Sequence, residues 1–381
     1  MKINYITNVR VPTTRAQGYA IFKMCEQFGL QGADVSLFVP RRRDIDNLGE
    51  PFSYYKVSKT FELVTLNNPD FLSRTLLFSR FIYWVDMFLF LVSVKRMFKN
   101  NRKDLYYTRD FLIALALPRE SKIYLEIHDI PGNKILFIRA INRSKTIIVL
   151  NNNLKKFLVD LGVSEKKIFI SPSSVEISEF NIDITKSQAR EMTSLPQDKK
   201  IILYTGHLYP WKGADILAES AINMPENIFV FVGGVEPELS KFREKYHTYK
   251  NIIIRPFEPR SNIPAYLKSA DVLVIPSPSS FKISSEYTSP VKMFEYMASG
   301  TPIVASSLPS LREILNDDNC VFAIPDDSNS LCESINKILR DDALAGKISS
   351  QASTDVLKYT WDNRAKGILA EIQKTTGEPN E

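Results

Sequence analysis

Short runs rich in β-branched and aromatic residues alternate with helix-length stretches along the whole chain, and this alternation constrains the fold most. It is the pattern of βαβ units, which build parallel sheets. In the first half the runs fall at Lys2 to Thr7, Val35 to Val39, Glu62 to Leu66, Leu105 to Thr108, Ile123 to Ile127, Thr146 to Leu150 and Ile168 to Ile170. In the second half they fall at Lys200 to Thr205, Ile228 to Val232, Ile252 to Ile254, Val272 to Ile275, Pro302 to Ala305 and Val321 to Ile324. A polar stretch from Ser171 to Lys199 separates the two sets. At 381 residues the chain is too long for one such layer set and suits two domains. The expected fold is α/β: two Rossmann-like, doubly wound domains with a cleft between them.

Unusual residues cluster just after the strands. His128-Asp129 follows the fifth, Gly206-His207 the first of the second half, and Gly233-Gly234, Arg255-Pro256-Phe257 and Pro276-Ser277 later ones. Ligands of open α/β sheets bind outside the carboxyl ends of the strands. Turn chemistry accounts for Gly and Pro there, but not for His, Asp and Arg as well.

Two segments carry the chemistry. In TSPVKMFEYMASG, Ser289 reads as an N-cap, Pro290 as the first helical residue and Gly300 as the close of a three-turn helix. The free N–H groups of Val291 and Lys292 would then favour an anion. Glu295 is four residues after Val291 and leans toward the same end. A carboxylate beside phosphates makes sense as an acceptor for vicinal ribose hydroxyls; otherwise it is an ordinary solvated glutamate. In YTGHLYPWKG, Gly206 lets backbone approach a ligand, His207 sits beside it, and Lys212 stands at the mouth of the next helix. Two helix N-termini and a lysine make a diphosphate clamp. No Walker-type lysine loop and no Gly-x-Gly-x-x-Gly occurs, so ATP hydrolysis and NAD binding are poorly supported.

The net charge of +6 is spread along the chain and suits a phosphorylated partner or a membrane surface; nucleic acid is not expected. Cys25, Cys320 and Cys332 are isolated, which suits a reducing compartment. No charged n-region with an apolar run precedes the first strand. The apolar window Phe81 to Val94 is 14 residues long and includes Asp86, too short to span a bilayer. A cytoplasmic chain, soluble or peripheral at the inner membrane face, is expected. The mixed aromatic and basic stretch Leu76 to Lys103 reads either as a core helix with a basic end or as a face for an anionic membrane. Asp44-Ile45-Asp46, the one Asp-x-Asp, reads as a solvated loop, and no metal is required.

In combination, GHLYPWKG, VGG, PSPSS and SPVKMFEYMASGTPIVAS resemble the donor domain of retaining glycosyltransferases of family four, which have the two-Rossmann GT-B fold. The runs ITNVRVPTTRAQGYAIFKMCEQFGLQGADVSLFVP and LEIHDIP resemble that family's acceptor domain, and YTWDNRAKGILAEI its helix that returns to the first domain. The resemblance implies an acceptor domain at 1–177 joined by a helix at 359–377, and a donor domain at 178–358. It implies no cofactor, with a nucleotide-diphosphate sugar as donor and a glycan or lipid-linked molecule as acceptor. His128, Lys212 and Glu295 would be catalytic. Gly206, His207, Gly233, Arg255, Phe257, Glu286, Thr288, Ser289 and Val291 would join Glu295 in binding the donor. Arg15, Gly18 and Asp129 would form an acceptor or phosphate loop. The sequence departs from the family at two places: Tyr287 stands eight residues before Glu295, with Glu286 one place off, where a first glutamate is usual, and His207 replaces an arginine. These departures leave room for a catalytically weak nucleotide-binding partner subunit. A sugar-nucleotide epimerase or a phosphorylase-like enzyme on the same fold is a third reading.

Overall fold

A computed structural model describes residues 1–43, 47–71, 79–101 and 103–377; Asp44-Ile45-Asp46 and residues 76–78 and 102 of the aromatic–basic stretch lie outside them. The chain divides into two units, Met1–Ser171 with Trp361–Glu381, and Pro172–Thr360.

The first unit is built on β1 (Lys2–Ile6), β2 (Asp34–Pro40), β3 (Glu62–Leu66), β4 (Leu105–Thr108), β5 (Lys122–Ile127), β6 (Thr146–Val149) and β7 (Ile168–Ile170). They pair in parallel in the order β3-β2-β1-β4-β5-β6-β7. The second unit holds β8 (Ile201–Thr205), β9 (Ile228–Gly234), β10 (Ile252–Pro256), β11 (Val272–Ile275), β12 (Ile303–Ser306) and β13 (Val321–Ala323). Their order is β10-β9-β8-β11-β12-β13, again parallel. Every run read from the sequence is a strand, with ends displaced by at most two residues. The reason is burial on both faces: β4, β6, β8, β11 and β12 consist of buried residues throughout, so they read as continuous apolar runs. The strand order reverses between β1 and β4 in one sheet and between β8 and β11 in the other. Those are the points where helices diverge to opposite faces and leave a crevice.

The unit boundary comes six residues earlier than the sequence reading placed it. Val175 bridges to Thr360, its N–H donates to the Tyr359 carbonyl at 3.0 Å, and its side chain packs with Phe180 in the second core. The segment from Pro172 therefore belongs to the second unit. The helix Trp361–Thr376 belongs to the first, where Trp361, Ala365, Ile368, Leu369 and Ile372 pack into its core and Tyr124 bonds Thr375 at 2.7 Å.

The helix Ser79–Phe98 buries one set of its residues in the core and exposes another. Met87, Phe90, Val94 and Phe98 are buried, and buried Asp86 is paired with Arg42 at 2.7 Å. Phe81, Trp84, Phe88 and Met97 are exposed, as are Lys95, Arg96, Lys99 and Lys103 at the basic end. Among the described residues, no helix is long and apolar enough to cross a membrane.

Candidate active site

In the second unit the carboxyl ends of β8 and β9 are stripped of side chains. Gly206 follows β8 at φ +130 with its N–H on the Val232 carbonyl at 2.8 Å, and Gly233 lies against it at φ +114. A Cβ on Gly233 would stand 3.0 Å from the Gly206 carbonyl oxygen. Both positions use backbone that L side chains rarely adopt. The chain then makes a short 3-10 turn, Pro210–Lys212, and enters the helix Ala214–Ile222 through Gly213 at φ +77. A Cβ on Gly213 would land on the carbonyl oxygen of Pro276, which follows β11. This glycine closes the loop of one strand over that of its neighbour at the switch point. Gly213→Ala is expected to destabilise the protein by at least ~1–3 kcal/mol, the cost of the backbone conformation before the collision is counted. A urea midpoint matching the parent's would show that the loop opens without cost.

Lys212 is half-buried, with its Nζ 3.9 Å above the Trp211 ring and no carboxylate partner among the described residues. Burial pushes its ammonium down to about 8. His207 is half-buried beside Tyr209, ring centroids 5.2 Å apart, and its carbonyl accepts the Tyr204 hydroxyl at 2.7 Å.

The second segment differs from its sequence reading. The helix is Val291–Ala298, little more than two turns, and Pro290 rather than Ser289 occupies the cap position. No side chain caps it. Ser289 instead accepts the Ser173 N–H at 3.1 Å, because its hydroxyl is drawn into the packing under the segment that enters the unit. Gly300, at φ +71, lies two residues beyond the last helical one. Tyr296 ties the helix to β8, its hydroxyl accepting the Thr205 N–H at 2.8 Å. Lys292, in the first turn, places its Nζ 3.8 Å from the Tyr204 ring.

Glu295 is buried, and Arg260 holds its Oε1 at 2.6 Å while also bonding Glu179 at 2.8 Å. Its Oε2 has no hydrogen-bond partner among the described residues. Glu286 lies in the single π-turn Ile283–Tyr287, half-buried, and Thr288 follows it in extended conformation. Arg255 and Phe257 flank the register shift that ends β10; the Phe257 N–H bonds the Gly234 carbonyl at 2.9 Å and Arg255 reaches the Ser194 carbonyl at 3.4 Å. Gly206, His207, Lys212 and Gly233 thus share one strand-end cluster with Val291, through Lys292 against Tyr204.

In the first unit, Glu126 on β5 is wholly buried. Its Oε1 lies 3.1 Å from Arg109, 2.6 Å from His128 Nε2 and 2.8 Å from Arg364, and the Tyr107 hydroxyl donates to its other oxygen. Burial works against the charge, but Arg109, Arg364 and His128 outweigh it and hold the carboxyl well below the usual range. Burial, and then Arg109, push His128 down, so at neutral pH it is the uncharged ring donating from Nε2. His128 and Asp129 line a cavity of about 260 Å³ together with Tyr83, Trp84, Arg109 and Asp110. Arg15 and Gly18 do not line it. Arg15 is exposed before the helix Ala16–Leu30, and Gly18 is a packing residue: the Tyr55 hydroxyl and the Thr13 methyl leave no space for a Cβ. Among the described residues no group of three His, Cys, Asp or Glu could hold a metal ion.

The profile of the family glycosyl transferases group 1 matches residues 185–355. Those residues form a group 1 glycosyltransferase domain. Of curated relatives, a D-inositol 3-phosphate glycosyltransferase of Xylanimonas cellulosilytica is 25% identical over 222 residues, which are 55% of this chain and 51% of the relative. The chain thus spans about half the length of the curated relatives it matches. The solved sucrose-phosphate synthase of Thermosynechococcus elongatus superposes with a TM-score of 0.80 at 17% identity, over 99% of this chain and 100% of that one. HepE of Anabaena, solved with UDP-glucose, gives 0.74 at 15% identity, over 98% and 100%. These likenesses make the fold GT-B.

The group 1 domain contains two cations that motif reading passed over, Arg260 on Glu295 and Lys292 beside Gly206. Lys292 was visible as a lysine in the first helical turn, where a cation opposes the helix dipole. Nothing in the spacing of Arg260 connects it to Glu295. In the first unit Glu126 sits two residues before His128, on the same strand face, which is the signal that could have exposed the pair.

Proposed function

We propose that this chain transfers a sugar from a nucleotide-diphosphate sugar to a glycan or lipid-linked acceptor, with retention at the anomeric carbon and without a metal, in the synthesis of a cell-surface polysaccharide or glycoconjugate. The observation that carries this reading is Lys212: a lysine without a carboxylate partner among the described residues, beside bare glycine backbone at the switch point of a group 1 domain. Such a cation stabilises negative charge gathering on a departing diphosphate. The Glu295 Oε2, left open while Arg260 orients the carboxylate through Oε1, supports a contact with a ribose hydroxyl.

In retaining transfer of this kind the acceptor hydroxyl attacks from the face the diphosphate leaves, and a phosphate oxygen takes its proton. The protein then chiefly stabilises and positions. On the acceptor side, the cavity beside neutral His128 offers Trp84 and Tyr83 faces with Asp110 and Asp129 carboxylates, a set that suits a hydroxylated ring. The exposed Phe81, Trp84, Phe88 and Met97 with Lys95, Arg96 and Lys99 suit peripheral contact with an anionic membrane carrying a lipid-linked acceptor. The displaced Glu286 favours the second reading, a nucleotide-binding subunit with little turnover.

Melting the full chain with UDP, GDP, ADP and CMP, then assaying release of the nucleotide from the matching sugar nucleotides, tests the proposal. A diphosphate is expected to raise the melting temperature, and release should proceed in chelator. If none of the four binds, the donor reading is wrong; binding without release supports the partner subunit.

A further inference from the structure

We propose that Lys292 is a second cation of the diphosphate site, reaching the phosphates from the helix Val291–Ala298 opposite Lys212. This rests on the nucleotide-sugar reading of the group 1 domain and adds to it a side chain to which the motif reading gave only a backbone role. Three observations carry it.

First, the Lys292 Nζ occupies the space made by a glycine. A Cβ at Gly206 would stand 2.9 Å from that nitrogen, so any other residue at 206 would displace it. The bare strand end therefore serves a cation as much as a ligand. Second, Lys292 has no carboxylate within ion-pair distance among the described residues; its Nζ rests on the Tyr204 ring at 3.8 Å, and Lys212 rests on Trp211 in the same way at 3.9 Å. Aromatic faces hold an ammonium without neutralising it. Third, the charges around Lys292 leave an excess of positive charge. Lys212 from the turn after β8 repels it, Glu295 on its own helix attracts it, and Glu295 is already paired with Arg260. Burial and Lys212 accordingly push Lys292 well below an ordinary lysine. Two lysines that repel each other are costly to keep charged unless an anion offsets them. A diphosphate carries that charge, and the uncapped first turn of the helix adds N–H donors beside it.

Binding should then draw a proton onto the pair, because an anion favours the charged form of both lysines. The test is calorimetry at pH 8 on the full chain and on Lys292→Met and Lys292→Arg, with UDP, GDP and ADP tried in turn. Each titration is run in two buffers of different ionisation enthalpy. Met keeps the apolar stem on Tyr204 and removes the charge. Lys292→Met is expected to bind the diphosphate roughly 10- to 100-fold more weakly, the worth of one charge-assisted hydrogen bond. Proton uptake should shrink, affinity for the corresponding monophosphate should change little, and Lys292→Arg should recover most of the loss. Equal diphosphate affinity in parent and Lys292→Met, or an equal loss for mono- and diphosphate, overturns the proposal while leaving the donor reading intact. No binding by the parent removes both.

Discussion

Glu126→Leu is expected to destabilise the protein by about 3–5 kcal/mol, the usual cost of removing one partner from a buried ion pair. Glu126 accepts from Arg109 and Arg364, and both guanidinium groups would be left without it in a buried setting. Arg364 belongs to the helix Trp361–Thr376, so amide exchange across that helix should accelerate more than in β5 itself. The pH dependence has a defined sign. The folded carboxyl lies below its unfolded value of about 4.3, so its contribution is complete above that pH and is lost as pH falls through the folded value. The parent should therefore lose stability in acid more steeply than the variant. Urea midpoints that agree at pH 7, or acid limbs of equal slope, would mean that Glu126 does not organise the two arginines.

Lys212→Ala should lower turnover with the preferred sugar nucleotide by roughly 10²–10³-fold, the range seen when one charged or donor group facing developing negative charge is removed. Circular dichroism should stay native, because the side chain lies over Trp211 at a turn and no carboxylate depends on it among the described residues. The free ammonium titrates at about 8, and a bound diphosphate raises it. Donor affinity should thus be full below pH 8 and fall as pH rises above it, and Lys212→Arg should move that fall to higher pH. Turnover within a few-fold of the parent in Lys212→Ala would end the clamp reading. An alkaline limb unchanged by arginine would assign the titration elsewhere.

Why some of this could be read in advance and some could not follows from particular residues. The central strands β4, β6, β8, β11 and β12 were legible because they are buried on both faces, so burial is written as a nearly continuous apolar run. The glycine-rich strand ends were legible for a related reason. Gly206, Gly213 and Gly233 all have positive φ, and that backbone demand is met locally by one residue type. The helix start was misread by one residue. Ser289 fits the local preference for a cap, but its hydroxyl is claimed by Ser173, which lies 116 positions away in sequence.

What the sequence determined by itself is thus the part of the physics that is local or periodic: two parallel α/β sheets, the glycines that bare their strand ends, and Lys212 at the mouth of a helix. The tertiary structure alone decided which charges meet. Glu126 is joined by Arg109 and Arg364, Glu295 by Arg260, and Lys292 comes to Gly206, across separations that no spacing rule spans. Charge pairing in a buried site depends on distance in space and on the loss of water, and neither quantity is recorded in the order of residues along the chain.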